Sequence, residues 1–285
     1  MVKSLNRKNA LFIGGCLFFK GQAMANSPTK ILFFLFITSI IGCATSTTYT
    51  FDHIYSDPRI IINSAREPWS IRIQNEIVRA GEGAVRFELR PFDTFDYDGS
   101  SRAELMDNYR ALMNRDIWYG FSVYIPEEYP AMEGKSVVIG QWHQAANWGY
   151  PPLSQNYDVI KKELHVYLIP ARFWTAPDGT KHYSKKRGLW KINDFEQNIW
   201  HDLIYQVRWS GDESGYFRVW HNGVLKIDHK GLTYIPDETV GPYLKFGLYQ
   251  MGGSTKSQTH VIYFDEYRRG KSYEAVDPAQ NEKEN

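Results

Sequence analysis

Along most of the chain, apolar and polar residues alternate with a period of two. Ser70-Ile71-Arg72-Ile73-Gln74 does so, and Ala84-Val85-Arg86-Phe87-Glu88-Leu89-Arg90 repeats it after the turn Gly81-Glu82-Gly83. Such alternation sends successive side chains to opposite faces of a strand. The β-branched run Val137-Val138-Ile139 predicts another strand, continuing through Gly140-Gln141-Trp142-His143-Gln144. Further strands are predicted at Trp118–Ile125 (ended by Pro126), Leu164–Ile169 (stopped by Pro170), Trp200–Trp209, Tyr216–Trp220, Val224–Ile227, Tyr243–Gln250 and Val261–Tyr267. Asn222-Gly223 between two alternating runs predicts a hairpin. Helical period is scarce, and a helical turn near Ser101–Met113 or Lys191–Gln197 would be an accessory. Many strands, turn-rich connections and no βαβ rhythm predict one all-β domain, an antiparallel sandwich or jelly roll.

Two long connections interrupt the pattern. Gln144–Lys162 contains Trp148, Tyr150, Pro151 and Pro152, whose aromatics could stack on a sugar ring. Ala171–Asn198 contains Lys181-His182-Tyr183-Ser184-Lys185-Lys186-Arg187, which reads either as a polyanion contact or as a solvated charge run.

The N-terminus reads as an address. Lys30 precedes the apolar run Ile31–Ile37, too short to span a bilayer comfortably but suited to a signal segment. The ending Ile40-Ile41-Gly42-Cys43 resembles a bacterial lipoprotein signal, in which Cys43 becomes the lipidated first residue; an ordinary signal peptide is the alternative. Met24 gives the more regular start. The organisation expected is therefore a signal segment over 1–43, a tether over 44–50, the folded domain over 51–274 and a disordered tail over 275–285. The domain is expected to be exported and held at a membrane of the bacterial envelope by its lipid, otherwise periplasmic or secreted, and a monomer. Both cysteines, Cys16 and Cys43, lie in the leader, so none remains for a disulfide or a metal.

Aromatics make up 15% of the chain, with 9 Trp and 19 Tyr, which fits β-structure or sugar-stacking surfaces. Outside the first 42 residues, 28 basic groups face 32 acidic ones, so binding to nucleic acid through overall charge is not expected.

Three short segments carry candidate chemistry. Gln141 and His143, two apart, share a strand face. In Tyr243-Leu244-Lys245-Phe246-Gly247-Leu248-Tyr249-Gln250, the apolar Leu244, Phe246 and Leu248 are expected in the core. Tyr243, Lys245, Gly247 and Tyr249 face the other way, with Gly247 leaving room for a ligand or a neighbouring side chain. Arg102 and Glu104 share a face if Ser100–Leu105 is extended. An Arg, Gln, His and Tyr brought together would suit β-elimination of a uronic acid. Hydrogen bonds from Gln and Arg would neutralise the carboxylate beside C5, a base would remove the C5 proton, and an acid would protonate the departing O4. His143 suits the base because an unperturbed imidazole titrates near neutrality.

The segments Arg102-Ala103-Glu104-Leu105, Gln141-Trp142-His143 and Tyr243–Gln250, in this order, resemble three signature segments of the jelly-roll polysaccharide lyases. Trp142 within Gln-Trp-His, together with Trp200-His201-Asp202 and Trp220-His221-Asn222-Gly223, is more similar to the heparin lyase and glucuronan lyase group than to alginate lyases. The resemblance implies a two-sheet jelly roll with a concave groove and an acidic polysaccharide as substrate. In it, Arg102 and Gln141 neutralise the carboxylate, His143 is the base, and Tyr249 is the acid or both acid and base. Tyr243 and Lys245 line the groove in it, and Glu104, Trp142, Trp148 and Tyr150 are further residues expected to contact substrate. Met106 departs from the second Arg of alginate lyases. No catalytic metal or other cofactor is implied. Asp93, Asp96 and Asp98 read as a solvated turn, with a structural cation as the alternative. For His53, His165, His182, His201, His221, His229 and His260 a structural or surface role is expected. Two rival readings stay open: a non-catalytic carbohydrate-binding module, and a glycoside hydrolase, which would need two carboxylates across the bond.

Overall fold

The alternation becomes seventeen strands among the residues described in this computed structural model, which are 47–49, 59–65, 67–91, 93, 100–131, 136–144, 150–170, 173–175, 178–183, 188–250 and 258–282. In chain order they are β1 (Thr47–Tyr49), β2 (Ile60–Ser64), β3 (Ile71–Gln74), β4 (Ala84–Leu89), β5 (Ser101–Asp107), β6 (Asp116–Tyr124), β7 (Val137–His143), β8 (Leu153–Asp158), β9 (Glu163–Leu168), β10 (Phe173–Thr175), β11 (Lys181–Tyr183), β12 (Gly188–Ile192), β13 (Trp200–Arg208), β14 (Tyr216–His221), β15 (Val224–Lys230), β16 (Tyr243–Gln250) and β17 (His260–Gly270). One sheet runs β15-β14-β13-β6-β17-β4-β3, with β1 beside β17; the other runs β12-β9-β8-β7-β16-β5-β2. Every pairing is antiparallel. This is a two-sheet jelly-roll sandwich, with a separate β10–β11 hairpin.

The inward faces supply the core. Phe87 and Phe121 of the larger sheet meet Phe264 at ring separations of 5.6 and 5.7 Å, and Phe246 of the other sheet closes on Phe264 at 5.4 Å. Trp142 inserts between Tyr205, at 4.7 Å, and Tyr119, at 5.4 Å. Such offset and edge contacts are the preferred aromatic geometries. The Asn222-Gly223 hairpin forms as expected: φ is 48° and 77° at the two residues, and His221 pairs with Val224.

Several expectations give way. The first long connection contains β8, paired with β7 and β9, and the second contains β10, β11 and β12. No helical turn forms over Ser101–Asp107, which is β5, and residues 193–196 lack regular structure. Residues 47–49, expected in the tether, pair with β17. The tail expected to be disordered from Ala275 is packed as far as it is described. Val276 is buried, a 3-10 helix spans Pro278–Glu282, and the Arg268 guanidinium donates to the Asp277 carbonyl at 2.9 Å. Gly120 of β6 makes room for this tail, since a Cβ there would collide with the Val276 carbonyl. The leader with Cys43, the loop with Trp148, and Asp96, Asp98 and Lys185–Arg187 lie outside the described residues. Asp93 is used locally, accepting from the Arg90 amide at 2.8 Å and the Trp69 indole at 3.0 Å.

Candidate active site

Three neighbouring strands of the seven-stranded sheet, in the order β7, β16, β5, carry all three polar segments. The register sets Tyr243 against His143 and Lys245 against Gln141 on one side of β16. On its other side, Lys245 pairs with Met106, Gly247 with Glu104 and Tyr249 with Arg102. Leu244, Phe246, Leu248, Ala103, Leu105 and Trp142 are all in the core. Alternation therefore puts Arg102, Glu104, Gln141, His143, Tyr243, Lys245 and Tyr249 on the opposite, polar face.

Gly247 has a different use from an open ligand gap. It sits where the β16–β7 register shifts between Phe246 and Tyr249, with φ at +132°. A Cβ there would collide with the Ala103 carbonyl and stand 2.7 Å from the Phe87 ring. The close approach is by a core side chain and a neighbouring backbone, at a bulge that only glycine adopts without strain.

Polar contacts fix the face. The Gln141 Nε2 donates to Glu104 Oε1 at 2.5 Å, with both residues buried. A carboxylate only accepts, so this bond also decides which end of the amide faces it. Nε2 keeps a second N–H. The Arg102 guanidinium lies over the Tyr249 ring at 4.3 Å, and Lys245 stands 5.8 Å from the Tyr243 ring.

The His143 ring lies 5.6 Å from that of Tyr243. Its Nδ1 is 3.0 Å from the Gln144 carbonyl. A carbonyl cannot donate, so Nδ1 carries the proton and Nε2 of the neutral ring presents a lone pair. Burial holds the imidazole below its ordinary pKa; the Gln144 carbonyl opposes this, while Lys245, Arg102 and Arg110 reinforce it. The ring is thus a neutral proton acceptor at neutral pH. Burial also raises the Tyr243 phenol, against the pull of Arg110.

The structure separates the predicted residues into groups. Arg102, Gln141, His143, Tyr243, Lys245 and Tyr249 share the polar face, and Glu104 lies beneath it holding Gln141. Trp142 does not belong with them: it is fully buried between Tyr119 and Tyr205, because the residue between two site residues on a strand must point the other way. Tyr150 is 47% exposed. The phenol set directly against His143 is Tyr243, whereas Tyr249 pairs across β16–β7 with Val138. Sequence reasoning missed Arg110, whose guanidinium stacks on Tyr243 at 3.6 Å. It also missed β8, which brings Asn156 in line with Val138 and pairs it with His165. The alternation Leu153, Gln155, Tyr157 against Ser154, Asn156, Asp158 was the available signal. Among the described residues, no group of three or more His, Cys, Asp or Glu side chains is placed to hold a metal ion.

A jelly-roll sandwich bearing an amide, an imidazole, cations and phenols on one face of one sheet offers the groups for proton transfer beside a bound anion. The comparisons place it more closely. Residues 44–268 match the model of the polysaccharide lyase family, and the chain belongs to that family. Among solved structures, it resembles an endo-β-1,4-glucuronan lyase from the fungus Trichoderma reesei, with TM-score 0.61 and 17% identity over 83% of this chain and 98% of that one. It also resembles an alginate lyase of polysaccharide lyase family 7, with TM-score 0.47 and 18% identity over 73% and 85% of the two chains. No curated protein matches it in sequence.

Proposed function

We propose that the polar face binds an acidic, uronic-acid-containing polysaccharide and cleaves it by β-elimination. The observation that carries this reading is a neutral imidazole with its Nε2 lone pair available, sharing a sheet face with an anchored amide and the cations Arg102 and Lys245. The Gln141 amide and the Arg102 guanidinium neutralise the carboxylate at C5 and so stabilise the charge that develops when the C5 proton leaves. His143 Nε2 takes that proton. The electrons of the C5–H bond form the C4–C5 double bond, the C4–O4 bond breaks, and O4 leaves with a proton from Tyr249. A guanidinium over the Tyr249 ring favours the phenolate left behind. Lys245 and Tyr243 line the sugar path. The protein of similar fold from Trichoderma reesei is an endo-β-1,4-glucuronan lyase, which supports this class of substrate. The domain is exported and tethered through a lipid on Cys43.

The test is to incubate the purified domain with glucuronan, alginate and heparin-like polymers. The expected product carries an unsaturated uronate, seen by ultraviolet absorbance and as a product without added water by mass spectrometry. Reducing ends formed with addition of water would show a hydrolase instead, and no cleavage of any uronate polymer would sink the reading. Tyr249→Phe is expected to abolish turnover; turnover retained in Tyr249→Phe and lost in Tyr243→Phe would transfer the acid role to Tyr243.

A further inference from the structure

Arg110 lies outside the three strand segments, on the loop between β5 and β6, yet its guanidinium reaches the polar face. It stacks on Tyr243 at 3.6 Å, and Tyr243 is the residue set against His143. The side chain is exposed, and among the described residues no carboxylate is paired with it. A guanidinium held over a ring face by a cation–π contact still has N–H groups to donate, and its five donors exceed what one phenol can accept, so a carboxylate can be bound beside the ring.

The backbone on either side of Arg110 is pinned. The Asn108 amide donates to the Arg59 carbonyl at 2.8 Å, and the Tyr109 amide donates to Asp107 Oδ1 at 3.0 Å. The Ala111 amide donates to the Pro242 carbonyl at 3.0 Å, and the Ala111 side chain is buried. Gly241 lets this approach happen, because a Cβ there would collide with the Ala111 carbonyl. Pro242 directly precedes Tyr243, so the loop that carries Arg110 is fastened to the strand that carries its stacking partner. An exposed cation on a fixed backbone loses little freedom on binding an anion. On β5 itself, the outward position beside Lys245 is Met106, which brings no charge.

We propose that Arg110 binds the carboxylate of the uronate next to the one undergoing elimination, and so selects polymers in which acidic sugars are contiguous. This rests on the reading of the polar face as a polyuronate site. Arg102 and Gln141 take the reacting sugar's carboxylate, and Arg110, held on Tyr243 beside His143, takes its neighbour's.

The experiment compares wild type, Arg110→Gln and Arg110→Lys in three ways: steady-state kinetics on glucuronan, binding of a glucuronan tetrasaccharide by calorimetry, and thermal melting. Loss of a charge-assisted pair at an exposed position is expected to raise KM and weaken tetrasaccharide binding by about tenfold in Arg110→Gln. kcat should change little, because the contact is present before and during the chemical step. Arg110→Lys should recover part of the affinity, since it restores the charge without the fork. The melting temperature should stay near that of wild type. Unchanged KM and affinity in Arg110→Gln, with wild-type turnover intact, would overturn the role of Arg110 and leave the lyase reading standing. Weaker binding in the variant with no turnover in wild type would keep Arg110 as a uronate ligand and remove the lyase reading. Absence of both binding and turnover in wild type would remove both.

Discussion

Glu104 is the residue on which the proposed chemistry can be tested most sharply, because it acts through Gln141. The Glu104 side chain is 1% exposed and that of Gln141 4%, and they are joined at 2.5 Å. A hydrogen bond to a charged partner contributes about 1.5–3 kcal/mol. In Glu104→Ala the amide loses the acceptor that orients it, and water has little access to replace it. If the oriented N–H acts on charge that develops only as the C5 proton leaves, that energy is lost from the transition state. The loss corresponds to about ten- to hundredfold in kcat. KM should move much less, because removing a contact made only in the transition state lowers kcat and kcat/KM together. Glu104→Gln keeps the shape and a carbonyl acceptor but no charge, and should fall between wild type and Ala. The assay is initial rate of unsaturated-product formation on glucuronan, well below the melting range and beside a thermal melt. A domain of this size shifts its Tm by about 2–4 °C per kcal/mol, so a stability cost can be read separately. A Glu104→Ala variant that melts early but turns over at the wild-type rate would refute the positioning role.

Three further outcomes follow from the geometry. Gly247→Ala must place a Cβ against Ala103 and Phe87 at φ +132°, and should cost about 3 kcal/mol or more, read as a lowered urea midpoint; a neutral result would mean the bulge can relax. His143 is held below 6.5 by burial and then by the cations around it, so it stays neutral as pH falls through 6.5. The acid limb of kcat/KM should therefore lie below that value and move upward in Lys245→Gln, and a limb at or above 6.5 in wild type would contradict this. Buried His221 and His260 are lowered to about 4 and His201 is lowered as well, each chiefly by burial. The unfolded chain then binds more protons than the folded one, so stability is full above about 6.5 and falls as pH drops toward 4, each unit of separation being worth about 1.4 kcal/mol. Asp265, raised to about 6 by burial, acts in the opposite sense and offsets part of the loss. Urea midpoints at pH 7 and 5 measure the balance, and a midpoint that rises at pH 5 would refute it.

Strands are easiest to find in the chain where most inward positions are apolar. Tyr243–Tyr249 alternates because Leu244, Phe246 and Leu248 all lie in the core, and the buried Gln250 ends the pattern. β8 escapes notice because one of its inward residues is polar. Gln155 is buried among core side chains and accepts from the Tyr205 hydroxyl at 2.7 Å, so a tertiary partner makes an otherwise unfavourable residue suitable. The packing of residues 275–282 depends on Gly120 and Arg268, far away in the chain, and no local pattern announces it. The Trp142 assignment failed for a simpler reason: the alternation that put Gln141 and His143 together also excluded the residue between them.

The site was legible as far as each strand face could be read alone, and it stopped being legible where strands are compared. Spacing within a strand shows that Gln141 goes with His143 and Arg102 with Glu104. It does not say which phenol stands beside the imidazole, because that depends on register between β7 and β16. Tyr243 opposes His143 directly, but between Phe246 and Tyr249 the β16 strand carries one more residue than β7 does. Gly247, at the shift, is the residue that makes the extra step possible. Tyr249 is consequently aligned with Val138 on one side while keeping its pairing with Arg102 on the other. The phenol and guanidinium are thus placed as a stacked unit, and the imidazole and amide as another, with Lys245 in the ladder between them. A change at Gly247 that shifted this register would move the first unit relative to the second, even if every site side chain were retained. The position of the proposed acid, Tyr249, relative to the proposed base, His143, therefore rests on a backbone feature, and Arg110 reaches the same face through a pinned loop that no strand period predicts.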